Sequence, residues 1–342
     1  MQAVFFEGNG RVEFRETKAP IVDTRDGVVL KVAANAICGT DLHALEVPPT
    51  VVFRPGVIIG HEFSGTVEEA GPDSGVAVGD RVAILPNLTC GKCDYCKQGL
   101  PNLCVHMEGF GSARVDGGAS EYSWAPGSVV FKLPENLSLE LASIAEPLSC
   151  VLNGTLRAGW QPNSTVVVLG GGPIGLMYMM VARAAGVRSV TVVERAKYRR
   201  EMAASLGATV VDADDPEQMT KLYREGADYV VDAVGVLIGE AVAIARPRGT
   251  ILIFGLDDTR KPAFPQADAV RKEVRIEGVF LARNTFELAL ELLARPEMGF
   301  EKLITHKFDL SQFDDAVASL RGGQAIKALV IPNYTGKSGA VA

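Results

Sequence analysis

Four cysteines crowd one short stretch: Cys90-Gly-Lys-Cys93-Asp-Tyr-Cys96 and then Cys104, a C-x2-C-x2-C-x7-C pattern within fifteen residues. Zinc takes four deprotonated soft ligands in a tetrahedron, and this loop offers four thiols. A metal closed off by four protein ligands has no place for substrate, so such a site is structural. Four reduced thiols without a metal are the plain alternative. A second set has wider spacing: Cys38-Gly39-Thr40-Asp41-Leu42-His43, then Gly60-His61-Glu62. One thiolate, one imidazole and one or two carboxylates can hold a metal and leave a position for water or substrate. Taken singly, Cys38 reads as a small buried apolar group and His61 as a core histidine; only the combination points to a metal. Glu146, in Ala145-Glu146-Pro147-Leu148-Ser149, lies in apolar company where an unpaired carboxylate is costly, and a metal or its water accounts for it. His43 reads as a proton relay or as a merely polar residue. His106 and His306 read as surface or structural, and Cys150 as a buried thiol.

A third constellation concerns phosphate. Gly170-Gly171-Gly172-Pro173-Ile174-Gly175 fits G-x-G-x-x-G, with its glycines at 170, 172 and 175. The pattern gains meaning from its setting: an apolar run ends at Leu169, a helical run opens near Pro173, and Glu194 ends the next apolar run. Gly170 permits the tight turn, Gly172 lets a pyrophosphate approach the backbone, and Gly175 lets helix and strand pack closely. The helix N-terminus receives the negative charge, and Pro173 suits a first turn where no N–H is needed. Glu194 is spaced to accept from a ribose hydroxyl. Arg195 and Arg199 stand close enough to favour a 2′-phosphate instead, but the acid repels that phosphate, so NAD is expected over NADP.

These residues require two kinds of scaffold. Residues 1 to about 150 are glycine-rich with short alternating runs, and strands are expected at 28–32, 65–69 and 80–85 in an irregular, mostly β domain. Near Pro147 the texture changes. Thr165-Val-Val-Val-Leu169 reads as a strand buried on both faces, followed by a helix over 174–185 that stops at Gly186. Further strands are expected at 190–194, 209–212, 229–232, 250–255 and 275–280, with helices between them such as 198–206 and 216–224. Alternating strand and helix implies a doubly wound parallel sheet. Beyond Phe280 come helices near 285–294 and 312–320 and a strand near 327–331, and nothing local decides which domain they close.

A chain of 342 residues suits two domains, and its formal charge of −7 argues against nucleic-acid partners while leaving room for a phosphate held by backbone N–H groups. Glu7, Arg11, Glu13 and Arg15 interrupt any secretory apolar core, which points to the cytoplasm. The uncharged run 164–182 is broken by the glycines and Pro173, so no membrane span is expected. Six cysteines in such a chain are metal ligands or buried thiols, not a disulfide framework.

With these motifs in this order the chain resembles the zinc-containing medium-chain dehydrogenases, and particularly their polyol, sugar and threonine dehydrogenase branch. The likeness covers nearly the whole length. It implies a GroES-like catalytic domain over 1–150, a Rossmann domain over 151–282, and a return to the first domain over 283–342. It implies that Cys38, His61 and Glu62 ligate zinc and that Glu146 binds the zinc or its water. Thr40 and His43 then pass the alcohol proton onward. Glu194 and Arg199 contact the adenosine ribose, and Ile174 lies beside the dinucleotide. Simple alcohol dehydrogenases have a cysteine at the fourth position, so Glu146 favours the polyol type. One departure follows the last sheet strand: sorbitol-type enzymes carry an Arg-Tyr pair where this chain has Leu281-Ala282, with Arg283 beside it. The resemblance implies two zinc ions per chain, a small alcohol or ketone substrate, and a homo-oligomer, dimer or tetramer. The activity implied is hydride transfer between a secondary alcohol and NAD. The alternatives are a threonine-type amino-alcohol dehydrogenase, a zinc-independent quinone or enone reductase, and a binding protein that keeps the fold.

Overall fold

The computed structural model describes residues 1–257 and 259–341. The chain packs as two compact units, Met1–Ser149 with Arg283–Ala342, and Cys150–Ala282.

In the first unit the axis is the strand Gly27–Ala36, whose residues Val28, Leu30, Ala34 and Ala36 are fully buried. It pairs antiparallel with Glu62–Ala70 on one side and meets Lys327–Ile331 at its far end. Ala36 lies opposite both Glu62 and Leu329. Strand register therefore carries the N-terminal end of each neighbour to the point where the central strand runs out into Cys38. One core layer gathers Leu30, Phe63, Val67, Ile84 and Phe110, and another gathers Val4, Ile37, Phe53, Phe308 and Phe313. The strand Ile304–Asp309 runs parallel to Lys327–Ile331, joined to it by the helix Phe313–Arg321. The C-terminal segment thus belongs to the first unit's sheet.

The second unit is a six-stranded parallel sheet in the order Thr209–Asp212, Ser189–Glu194, Thr165–Leu169, Ala227–Asp232, Ala245–Ile253, Arg275–Gly278. All five residues of Thr165–Leu169 are buried, as befits a central strand covered on both faces. The strand next in sequence lies on one side of it and Ala227–Asp232 on the other. The order therefore reverses at Leu169, and the crevice beyond the carboxyl ends of these strands is where such sheets take ligands.

Several boundaries differ from the sequence expectation. The strand expected over 250–255 starts at Ala245 and ends at Ile253, with an irregular register between Ala227 and Tyr229 on its neighbour. Arg248 takes a positive φ of 64° there, which no local propensity announces. The last sheet strand stops at Gly278, not Phe280. The helix Ala145–Ala158 is not among the expected elements. Pro147 falls in its first turn, where backbone N–H groups have no intrahelical partner. Among the described residues no helix is long and apolar enough to cross a membrane.

Candidate metal centres and dinucleotide site

The four lobe cysteines converge: the sulfurs of Cys90, Cys93, Cys96 and Cys104 all lie within 4.8 Å of one another. Cys104 Sγ is 3.6 Å from Cys90 Sγ and 4.0 Å from Cys93 Sγ. Four sulfurs about 2.3 Å from a tetrahedral zinc stand about 3.8 Å apart, so the cage already has the size of the ion. None of the cysteines is in a disulfide. Backbone N–H groups point at the sulfurs: Cys93 N–H donates to Cys90 Sγ (3.3 Å) and His106 N–H to Cys104 Sγ (3.4 Å). Such donors favour thiolates. The N–H of Cys96 leads in lowering the Cys93 thiol to about 6, while desolvation and the neighbouring sulfurs push Cys96 up to about 12. The loop favours some thiolates and resists four, which is the electrostatics of a cage built for a cation.

The second set also comes together. Ligand atoms of Cys38, His61 and Glu62 lie within 4.8 Å of one another. Cys38 precedes the short helix Gly39–Ala44 and its N–H donates to Asp41 Oδ2 at 2.9 Å. Asp41 is fully buried, and its other oxygen faces His61 Nδ1 at 3.5 Å. That arrangement leaves Nε2 for a metal, the usual division of labour in a ligating histidine. His61 is reached through Gly60 at φ 99°, where a Cβ would collide with the Asn35 amide, so only glycine lets the chain turn in. Burial opposes a charged His61, yet the Asp41 carboxylate and the Cys38 sulfur hold its pKa well above the ordinary value. A proton on this histidine does what a metal cation would do among those anions, so the donor set fits zinc.

Two residues at this site have roles that the sequence reading does not assign. Asp41 is one. The other is Lys327, 2% exposed, whose Nζ donates to Glu62 Oε1 at 2.6 Å, to Glu62 Oε2, and to the Ile37 carbonyl at 3.2 Å. Burial works against its charge, but the charges of Glu62, Cys38 and Glu146 outweigh it and raise its pKa. A lysine within Ala325-Ile326-Lys327-Ala328-Leu329-Val330, all of them buried, is itself a signal, since a buried ammonium demands a buried partner. Glu146 is 7% exposed in the first turn of its helix; its charge acts on both Glu62 and Lys327, although it stands outside the cluster of three.

Thr40 Oγ1 is 3.5 Å from Cys38 Sγ. His43 Nδ1 is 3.1 Å from Glu46 Oε1, and its side chain is 45% exposed. His306 is buried beside Thr305 and stacks on Phe308, and His106 is exposed. Cys150 is buried.

In the second unit the glycine run forms the expected turn. Gly170 has φ 99°, and Gly172 caps the helix Pro173–Ala184, with Pro173 and Ile174 in its first turn. A Cβ at Gly175 would collide with the Gly170 carbonyl oxygen, so this glycine sets how closely the helix crosses the strand. Glu194 lies at the mouth of the turn: Oε2 accepts from Gly171 N–H at 2.8 Å and Oε1 from Ala196 N–H at 2.9 Å. Arg199 Nη1 stands 3.8 Å from Glu194 Oε2, whereas Arg195 pairs with Asp214 (3.3 Å) and Arg200 with Asp212 (2.7 Å).

Comparison with known proteins agrees with this arrangement. The alcohol dehydrogenase GroES-like domain matches residues 24–135, and the zinc-binding dehydrogenase domain matches residues 173–295. An L-idonate 5-dehydrogenase of Vitis vinifera is 35% identical over 88% of this chain and 87% of its own. A sorbitol dehydrogenase of Arabidopsis thaliana is 33% identical over 96% of this chain and 94% of its own. Among solved structures, a zinc-binding dehydrogenase from Sinorhizobium meliloti bound to NADP superposes with a TM-score of 0.89. It is 31% identical, over 97% of this chain and 99% of that one. The chain therefore belongs to the zinc-containing medium-chain dehydrogenases and is an NAD(P)-dependent alcohol dehydrogenase of that family.

Proposed function

We propose that this enzyme oxidises a secondary hydroxyl of a polyol, sugar or cyclitol-like substrate, or reduces the matching ketone, with NAD preferred to NADP. The observation that carries the reading is the convergence of Cys38, His61 and Glu62 with Glu146 close by, a carboxylate-rich donor set in place of two thiolates. A second zinc in the lobe of Cys90, Cys93, Cys96 and Cys104 holds that loop together.

Zinc at Cys38, His61 and Glu62 supplies Lewis acidity toward a hydroxyl oxygen, and the nicotinamide supplies the hydride acceptor. The chain does the rest. Asp41 keeps His61 turned so that Nε2 faces the ligand cluster, and it ties down the backbone of Cys38. Thr40 and His43 accept the hydroxyl proton and return it to solvent. Lys327 balances the carboxylates so that Cys38, Glu62 and Glu146 can share one small volume. Glu146 keeps the site more polar than a second thiolate would, which suits a substrate with vicinal hydroxyls. In the second unit Gly170, Gly172 and Gly175 admit the pyrophosphate at the start of the helix that opens with Pro173 and Ile174. Glu194 accepts from the ribose, and Arg199 flanks it. An acid paired with that arginine leaves little for a 2′-phosphate to bind, hence the preference for NAD.

Unpaired cysteines suit a reducing cytoplasm. A dimer or tetramer is the expected assembly, which light scattering can count. Steady-state kinetics on sorbitol, xylitol, an inositol, glucose, L-idonate, threonine, 2,3-butanediol and ethanol test the substrate class. The polyol reading fails if ethanol or another primary alcohol has the highest kcat/KM. A threonine preference that disappears in Arg283→Ala replaces it with an amino-alcohol dehydrogenase.

A further inference from the structure

His43, Glu46 and Thr50 form a closed ring of contacts outside the metal cluster. Glu46 Oε1 is 3.1 Å from His43 Nδ1, and Glu46 Oε2 accepts from Thr50 Oγ1 at 2.9 Å. The backbone closes the same loop, since Thr50 N–H donates to the His43 carbonyl at 3.2 Å. The helix that carries His43, Gly39–Ala44, is too short to hold itself. Asp41 holds its start at the Cys38 N–H, and Arg321 holds its end by donating from Nη2 to the carbonyls of Leu42 (3.1 Å) and Leu45 (2.9 Å). The Thr50 hydroxyl, with lesser help from His43 and the Arg321 charge, keeps Glu46 below the usual carboxylate range, so it is an anion at neutral pH.

A carboxylate anion can only accept a hydrogen bond. The nitrogen facing it must therefore carry hydrogen, and the other nitrogen of a neutral ring must carry the lone pair. We propose that Glu46 is the positioning residue for His43, fixing it as the Nδ1–H tautomer so that Nε2 is open to receive the substrate's proton. The proposal rests on the reading of His43 as a relay. The proton that leaves the substrate hydroxyl arrives at Nε2 and makes an imidazolium, with Nδ1–H still held by Glu46. The ring, 45% exposed, then gives the Nε2 proton to water and returns to its starting tautomer. A histidine side chain free in water favours the opposite tautomer, Nε2–H, which has no lone pair at the receiving atom. As an ion pair between exposed groups this contact contributes little to stability; its effect is on which nitrogen is free.

The chain has four histidines, so 15N–1H correlation spectra of the zinc-loaded enzyme resolve the ring directly, with His43 assigned by its loss in His43→Gln. At a pH where the ring is neutral, the wild type is expected to show Nδ1–H at His43, and Glu46→Ala to move it toward Nε2–H. Oxidation kcat is expected to fall about tenfold in Glu46→Ala, with substrate KM and zinc content unchanged. Glu46→Gln, whose amide oxygen can still accept, is expected to restore part of both. A wild-type ring already in the Nε2–H form, or a spectrum unmoved by Glu46→Ala, overturns the proposal. If the tautomer moves but kcat stays fixed in both Glu46→Ala and His43→Gln, the relay reading of His43 is what fails.

Discussion

Glu194 accepts the Gly171 N–H through Oε2 at 2.8 Å, so the chain's own hydrogen bond ties the acid at the end of the second Rossmann strand to the glycine turn. Its Oε1 is fixed by Ala196 N–H at 2.9 Å. On the proposed reading, a carboxylate held at both oxygens offers a fixed acceptor to a ribose and repels a 2′-phosphate. Glu194→Ala is expected to raise KM for NAD about ten- to a hundredfold, the effect of losing a charged hydrogen bond, and to narrow the gap to NADP. Initial rates with both dinucleotides measure this. A wild type already more efficient with NADP sinks the assignment and passes the decision to Arg199.

The two cysteine sets are expected to bind one zinc each, with unequal consequences. Cys38→Ser should keep one zinc per chain and the fold while losing turnover. Cys104→Ser should leave the lobe with three thiolates and lower thermal stability. Elemental analysis of the wild type settles the count, and a value of one zinc or none removes the two-metal reading.

Lys327 offers a test that needs no substrate. Removing one partner of a buried pair leaves an uncompensated charge, and Lys327→Met is expected to cost about 3–5 kcal/mol of stability. Glu62→Gln in the same chain should recover part of that loss. Urea unfolding of the four proteins of this cycle gives the coupling; additive losses would mean the pair is not energetically real.

Asp228 carries a pH signature. Its burial opposes ionisation, but the Thr165 N–H (2.7 Å) and hydroxyl (2.8 Å), with Arg246, lower its pKa below the ordinary 3.8. A folded pKa below the unfolded one stabilises the protein at pH above the unfolded value, and the gain disappears as pH falls through the folded value. Asp228→Asn should therefore be less stable than wild type near neutral pH, with the gap closing in strong acid. A gap that stays constant from neutral pH down to about pH 2 would refute the linkage.

Much of the site was legible because its chemistry is local. Four cysteines within fifteen residues, and a glycine turn between an apolar strand and a helix, state their purpose in short windows. What stayed hidden depends on distance in sequence or on backbone conformation. Lys327 reads as an ordinary strand residue until the sheet places it against Glu62. Glu46 reads as a surface acid three residues past His43 until the loop to Thr50 closes. Leu281 takes a positive φ of 52°, with its carbonyl held by Asn153 Nδ2 at 2.8 Å, and nothing about a leucine predicts that. The helix over Ala145–Ala158 is missing from the sequence expectation, and it accommodates Pro147 in its first turn, where no intrahelical N–H is needed.

The Lys327–Glu62 contact also sets an order of events in the making of the protein. Its partners are separated by 265 residues, and the whole nucleotide-binding unit is encoded between them. On the ribosome, residue 62 emerges while its counter-charge is still untranslated. The candidate metal ligands Cys38, His61 and Glu62 therefore wait for the strand Lys327–Ile331 before their electrostatics are complete. A product truncated before Lys327 keeps Cys38, His61, Glu62 and Glu146 but not the ammonium that balances them, so the fold ties the charge balance of that cluster to synthesis of the strand Lys327–Ile331.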